Sequence, residues 1–143
     1  FTTSTTDKFL EEGETKCSQA LKKFIEEGVN IKNITFTSDG QGSLPEFDEN
    51  GDFSGLGIGQ VSSLFQEVKD AVISENIDLS EALKVITTNP ARNLQLENKG
   101  QLDSGKDADI VILNSNDLQI KTVIAKGNFM LKNEELKEKG TFE

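Results

Sequence analysis

The stretch Ile34-Thr35-Phe36-Thr37-Ser38-Asp39-Gly40-Gln41-Gly42-Ser43 decides how this chain is read. Its first four residues are β-branched or aromatic, the composition of a strand. It then breaks on Ser, Asp and Gly, the residues of turns. Upstream, Cys17, Ala20, Leu21, Phe24 and Ile25 recur at i, i+3, i+4, i+7 and i+8, one apolar stripe of a helix. Thr15 is the expected N-cap of that helix and Gly28 its C-terminal stop. Phe1 to Ser4 reads as a further short strand, and Thr5 to Thr15 as a polar connection. Strand, helix, strand is the order of an α/β sheet whose strands run parallel.

Downstream, Leu44 to Gly59 reads as a loop with a hairpin, because Asn50-Gly51 suits a type I′ turn between Phe47 and Phe53. Val61, Leu64, Phe65, Val68 and Val72 mark a second amphipathic helix. A third has Ser80 as N-cap and Leu79, Ala82, Leu83 and Ile86 inward. Asn89-Pro90 opens a short helical piece as N-cap and first residue, where proline is tolerated. Beyond about Asn98, short strands at Asp109–Leu113, Ile120–Ala125 and Phe129–Leu131 alternate with turn residues. The expected division is therefore 1–98, strand and helix, and 99–143, strands alone. Asn133 to Lys139 reads as a solvated face.

Composition excludes several functions. The chain has 143 residues, 15 Lys plus Arg against 25 Asp plus Glu, a net charge of −10, no His and one Cys. No Ser/His/Asp arrangement or imidazole-based zinc site can form within it. One cysteine cannot staple a secreted scaffold, so a reducing, cytoplasmic location is expected. The acidic balance argues against nucleic acid. No apolar run reaches the ~18–20 residues of a membrane span, and no basic-then-apolar leader is seen. The opening Phe1-Thr2-Thr3-Ser4, without an initiator Met, reads as a chain cut from something longer. Cys17 lies on the helix stripe and is expected to be a core thiol rather than a nucleophile.

Four groups could carry chemistry. Asp39 ends a strand and precedes Gly-x-Gly-Ser, the place where α/β barrels present functional groups. The same residues also make an ordinary Asx-type turn. Asp48, Asn50 and Asp52 match three positions of a calcium loop, but Phe53 stands where glycine is needed and Gly59 where a bidentate Glu is needed. Gly55-Leu56-Gly57-Ile58-Gly59 before a helix hints at phosphate binding, yet fits neither phosphate-binding glycine fingerprint. Asp107 and Asp109 read as paired carboxylates or, with apolar residues following, as the entry to a strand.

Several segments together resemble one superfamily. Asn89-Pro90-Ala91-Arg92-Asn93-Leu94, Lys99-Gly100-Gln101-Leu102 and Gly105-Lys106-Asp107-Ala108-Asp109-Ile110-Val111 are similar to the C-terminal signature of the amidohydrolases. Ser38-Asp39-Gly40-Gln41-Gly42-Ser43-Leu44-Pro45 resembles the Ser-Asp-Gly-Asn-Gly-Ser segment of the isoaspartyl (β-aspartyl) dipeptidases within that superfamily, with Gln41 in place of Asn. The ending Lys139-Gly140-Thr141-Phe142-Glu143 is similar to that family's C-terminus.

The resemblance implies an α/β fold: the last strand–helix units of a (β/α)8 TIM barrel, then C-terminal strands of a small β-sandwich domain. It implies hydrolysis of the isopeptide bond of a small β-aspartyl dipeptide at a binuclear zinc site. Asp39 would be metal ligand and general base, Ser43 would bind a substrate carboxylate, and Gly40 and Gly42 would let the backbone pass close to the substrate. The superfamily's histidine ligands cannot come from this chain, so the isolated chain is expected to be inactive and to bind zinc poorly. Unpaired strand edges such as Ile34–Thr37 would pair with another copy, giving a homo-oligomer. Two alternatives stand beside this reading: another amidohydrolase, dihydroorotase-like or N-acyl-amino-acid deacetylase-like, and a non-catalytic folding or interaction module.

Overall fold

In the computed structural model, which describes Thr2 and residues 13–139, the first helix, α1, spans Cys17–Glu26. Its stripe packs as the periodicity requires: Cys17 and Leu21 are buried and Phe24 packs against them, while Ile25 lies at the exposed margin. Thr15 is not the cap. Lys16 holds the N-cap position, and its side chain makes no capping hydrogen bond. Glu67 of the second helix serves instead, its Oε2 accepting the Ser18 N–H at 2.8 Å. A buried carboxylate at a helix N-terminus satisfies an orphan donor and meets the positive end of the helix dipole. At the other end Gly28 takes φ +83°, and the Val29 and Gly28 N–H groups donate to the Phe24 and Ile25 carbonyls. That pairing is a Schellman stop.

The segment Ile34–Thr37 is extended but is not a laddered strand. A single parallel bridge joins Thr37 to Thr2, and the Phe36 N–H donates to the Val85 carbonyl at 3.0 Å. A ladder needs a neighbour over several residues; of the expected strand Phe1–Ser4 only Thr2 lies within the described residues. Ile34 and Phe36 are nonetheless buried in the core of this half of the chain.

β1 (Ser43–Phe47) and β2 (Phe53–Ile58) form the expected hairpin, antiparallel, with Ser43 opposite Ile58. Its turn is not type I′, which needs positive φ at both central residues. Only Gly51 is left-handed, at +84°. Asp48 Oδ1 accepts the Asn50 and Asp52 N–H groups at 2.9 and 3.0 Å, and Gly51 N–H donates to the Asp48 carbonyl. These bonds hold the Asp48 carboxyl below its usual pKa and use it as a turn-former, not as a calcium ligand.

α2 (Ser63–Ile73) buries Val68 and Ala71. α3 (Leu79–Lys84) is capped by Asp78, not Ser80; the Asp78 carboxylate accepts from the Ser80 and Glu81 N–H groups. α4 (Thr88–Asn93) includes Asn89 within its first turn. The Asn89 side chain is not a cap either. It is buried and donates from Nδ2 to the Ile31 and Ile34 carbonyls, 2.8 Å each.

The chain divides into two compact units, residues 1–90 and 91–143, and the change of pattern expected near residue 98 falls inside the second. The second unit is an antiparallel meander of β3 (Ile110–Leu113), β4 (Ile120–Ala125), β5 (Asn128–Lys132) and β6 (Glu135–Leu136), in that order across the sheet. Among the described residues it is one sheet, so the second layer of a sandwich is not part of it. β6 falls inside the stretch read as a solvated face, and both its residues are exposed. Among the described residues no helix is long and apolar enough to cross a membrane. The C-terminal match at Gly140–Glu143 lies outside the described residues.

Cys17 is a core thiol, 2% exposed, with Sγ 3.1 Å from the Thr2 carbonyl that accepts its hydrogen. Burial, with the Glu67 carboxylate nearby as the lesser cause, pushes its pKa up from 9.0 to about 11. Unfolded chain therefore loses this proton first as pH rises. Its contribution to stability is whole below pH 9 and is lost as pH climbs through about 11. Urea midpoints measured across that range should fall more steeply for the parent chain than for Cys17→Ala; parallel curves would contradict this.

Candidate functional site

Asp39 lies in the turn after Ile34–Thr37, exposed at the end of an extended segment whose Ile34 and Phe36 are buried. Its backbone is unusual. Asp39 has φ 47° and Gln41 φ 70°, both in the left-handed region. Asp enters that region at modest cost, Gln at more, of the order of 1 kcal/mol. Such strain persists only where neighbours hold it. Here the Gly40 N–H donates to Ser38 Oγ at 3.1 Å and the Gly42 N–H to the Asp39 carbonyl at 2.9 Å. The hairpin then clamps the turn, since Gln41 N–H donates to the Gly59 carbonyl and Gly59 N–H to that of Gly42, both at 2.9 Å.

The Asn-to-Gln difference noted in the sequence thus sits at a left-handed residue. Gln41→Asn should raise stability by up to about 1 kcal/mol, read as a higher thermal midpoint. A lowered midpoint would show that Gln41 makes a contact its conformation does not reveal.

Gly40 and Gly42 are glycines for a reason internal to the chain. A Cβ on Gly40 would lie 2.6 Å from Val61 Cγ2, and one on Gly42 would lie 2.7 Å from Asp39 Oδ2. Ser43 follows as the first residue of β1, exposed, its Cα paired with that of Ile58. Asp39, Gly40, Gly42 and Ser43 therefore form one continuous turn-and-strand edge.

A zinc ion takes four donors, or three and a water. Among the described residues no group of three His, Cys, Asp or Glu side chains could hold a metal, and the chain has no His. Asp39 suits the part of one ligand, but the residues present do not by themselves make a zinc site. A cavity of about 330 Å³ elsewhere in the first unit is lined by residues that include Lys22, Ile25, Asp78 and Glu81, and none of the four candidate residues borders it.

The other sequence candidates are structural. Lys99 Nζ pairs with Asp107 Oδ2 at 2.7 Å and with Asp109 Oδ2, while Asp109 Oδ1 accepts the Lys126 N–H at 2.7 Å. The Lys99 hydrogen bond is the main reason the Asp109 carboxyl sits below its usual pKa. Asp107 and Asp109 are thus a lysine clasp at the entry to β3, not an acid–base pair. The glycines of Gly55–Gly59 lie on β2 and just after it. Gly59, which nothing in the sequence distinguishes from Gly55 or Gly57, is the one that meets the Asp39 turn.

The model of the Amidohydrolase family matches residues 9–130. A β-aspartyl dipeptidase structure from Fervidobacterium islandicum AW-1, in complex with β-Asp-Leu dipeptide, superposes with a TM-score of 0.76 at 38% identity. The match covers 92% of this chain and 34% of that one. A second structure of β-aspartyl dipeptidase from the same organism gives 0.73 at 31% identity, covering 91% and 31%. Among curated proteins, an adenine deaminase of Methanosphaera stadtmanae is 37% identical over 65 residues, 45% of this chain and 12% of its own length. An N-acetylglucosamine-6-phosphate deacetylase of Lysinibacillus sphaericus is 37% identical over 67 residues, 47% of this chain and 17% of its own. This chain therefore spans about a third of the solved relatives and less of the curated ones.

Proposed function

Because the chain belongs to the amidohydrolase family, we propose that it serves a metal-dependent hydrolase that cleaves the isopeptide bond of β-aspartyl dipeptides. In this reading residues 1–98 are the last strand–helix units of a (β/α)8 barrel and residues 99–143 part of a small β domain. The carrying observation is Asp39: an exposed carboxylate on a turn fixed by main-chain bonds, in a chain of which 92% matches a β-aspartyl dipeptidase structure.

Asp39 accepts a proton from the water that attacks the amide carbonyl and delivers it to the departing amine, from a main chain fixed by its turn. Ser43, next along the edge, hydrogen-bonds a substrate carboxylate, and Gly40 and Gly42 keep the backbone low beside it. Asp39 would be this chain's one ligand to zinc, the other ligands coming from polypeptide beyond these 143 residues; when bound, the metals would supply an acidified water. The isolated chain would then be inactive. The proposed enzyme is a homo-oligomer, tested by light scattering, where the mass of a single chain would contradict it. A cytoplasmic setting is part of the same proposal, supported by a single cysteine, Cys17, that is free and buried.

The deaminase and deacetylase similarities favour one alternative, another amidohydrolase activity. The test is a substrate panel on the complete, metal-loaded enzyme: β-Asp-Leu, dihydroorotate, N-acetyl amino acids and N-acetylglucosamine 6-phosphate. Turnover of β-Asp-Leu above all others is expected. Preference for any other member would replace this function with that activity.

A further inference from the structure

Resting on the reading of Asp39 above, we infer that Gly59, with Gly42, is a positioning residue: the two bare α-carbons hold the Asp39 turn from opposite ends of its hydrogen bonds. Gly59 is buried, yet it is not among the left-handed glycines, so its backbone does not demand glycine. Space does. A Cβ at residue 59 would lie 2.5 Å from the Asp39 carbonyl oxygen, 3.4 Å from the Asp39 carbonyl carbon and 3.6 Å from the Gly42 oxygen. The first of these is far inside van der Waals contact, and its partner is main chain, which cannot rotate aside. Gly42 is closed by the same main chain at 2.9 Å, the Asp39 carbonyl oxygen, and its Cβ would also fall 2.7 Å from Oδ2 and 2.8 Å from Cγ of the Asp39 side chain, which would have to turn away.

The two residues also carry the bonds that continue the hairpin ladder beyond the Ser43–Ile58 pair into the Asp39 turn. The β1–β2 hairpin is therefore the rigid mount of the candidate catalytic carboxylate. Adding one methyl group at either glycine must displace Asp39 without altering the chemistry of any polar side chain of the site. Gly55, on the same strand, is the built-in comparison, since a Cβ there meets nothing within 4 Å.

The experiment compares Gly59→Ala, Gly42→Ala, Gly55→Ala and Asp39→Ala in the complete, metal-loaded enzyme, with β-Asp-Leu as substrate. Misplacing a reacting group by about 1 Å can cost up to about 100-fold in rate. Gly59→Ala should lower kcat by about 10- to 100-fold with KM within about threefold of the parent, and Gly42→Ala, which also lies beside the substrate, should lower kcat by as much and raise KM as well. Gly55→Ala should keep the parent kcat, and the three glycine variants should share a melting temperature within a few degrees. If Gly59→Ala does not fold, Gly42→Ala still decides, since its added methyl faces the carboxylate itself. Parent-like kcat in the folded glycine variants, or a loss expressed wholly in KM, overturns the inference when Asp39→Ala is inactive. Full turnover by Asp39→Ala overturns instead the reading on which the inference rests.

Discussion

Asp39→Ala in the complete, metal-loaded enzyme is expected to lose turnover of β-Asp-Leu by about 10²–10⁴-fold, the range that a positioned general base supplies. Nearly all of that should appear in kcat, because the carboxylate acts on the proton in transit and not on the resting dipeptide. Folding should be untouched. Asp39 is exposed, and the bonds that shape its turn run through its main chain and Ser38 Oγ, not through its carboxylate. Asp39→Asn separates the two parts of the role. It keeps the shape and one acceptor oxygen but cannot take a proton, so it should be nearly as inactive as the alanine variant. Activity near the parent level in Asp39→Asn would show that charge at this position is not needed.

Asn89→Leu should be the most damaging substitution for stability outside the apolar core, at about 2–4 kcal/mol. Asn89 is 1% exposed, and its Nδ2 serves two carbonyls, those of Ile31 and Ile34, at the head of the segment that ends at Asp39. Leucine is close in volume but donates nothing. The Ile34 carbonyl would be left buried without this partner, and the full desolvation penalty of that group would appear. The Ile31 carbonyl also accepts the Ile34 N–H, which moderates the loss there. Asn93→Ala, on the exposed side of the same helix, should stay within about 0.5 kcal/mol. Urea midpoints for the two variants check this; equal midpoints would mean that the Asn89 bonds contribute little net stability.

Asn89 also shows where sequence reading stops. Asn before Pro has the pattern of an N-cap, and the helix is indeed there, but the amide reaches across 55 residues to the Ile34 carbonyl. The α1 cap has the same character: Thr15 had the right chemistry, yet Glu67, 49 residues away from Ser18, makes the bond. Ser80 and Asp78 are both good caps two residues apart, and only backbone conformation chooses Asp78. Periodic apolar patterns were legible because they report local geometry and burial together. They place α1, α2 and the first three strands of the C-terminal meander within a residue or two, and miss β6. Ile34–Thr37 carries strand composition, but a ladder is a property of two segments, and one bridge is what its described neighbour provides.

At the candidate site, the order Asp39-Gly40-Gln41-Gly42-Ser43 was readable as a strand-end turn. What the sequence could not show is that Gly59 closes it. Gly55, Gly57 and Gly59 are equivalent as letters, and only the fold sets one of them where an added methyl carbon would lie 2.5 Å from the Asp39 carbonyl oxygen. The Asp107–Asp109 pair was ambiguous for a related reason, since a carboxylate's role depends on the cation beside it. Lys99 resolves it as a clasp.

The most direct test of the account exchanges this chain for the corresponding third of the Fervidobacterium islandicum β-aspartyl dipeptidase and measures hydrolysis of β-Asp-Leu. The folded chimera, with its metal content at the level of the unaltered enzyme, is predicted to turn the dipeptide over and to lose that activity on Asp39→Ala. A folded, metal-replete chimera that leaves β-Asp-Leu intact would contradict it.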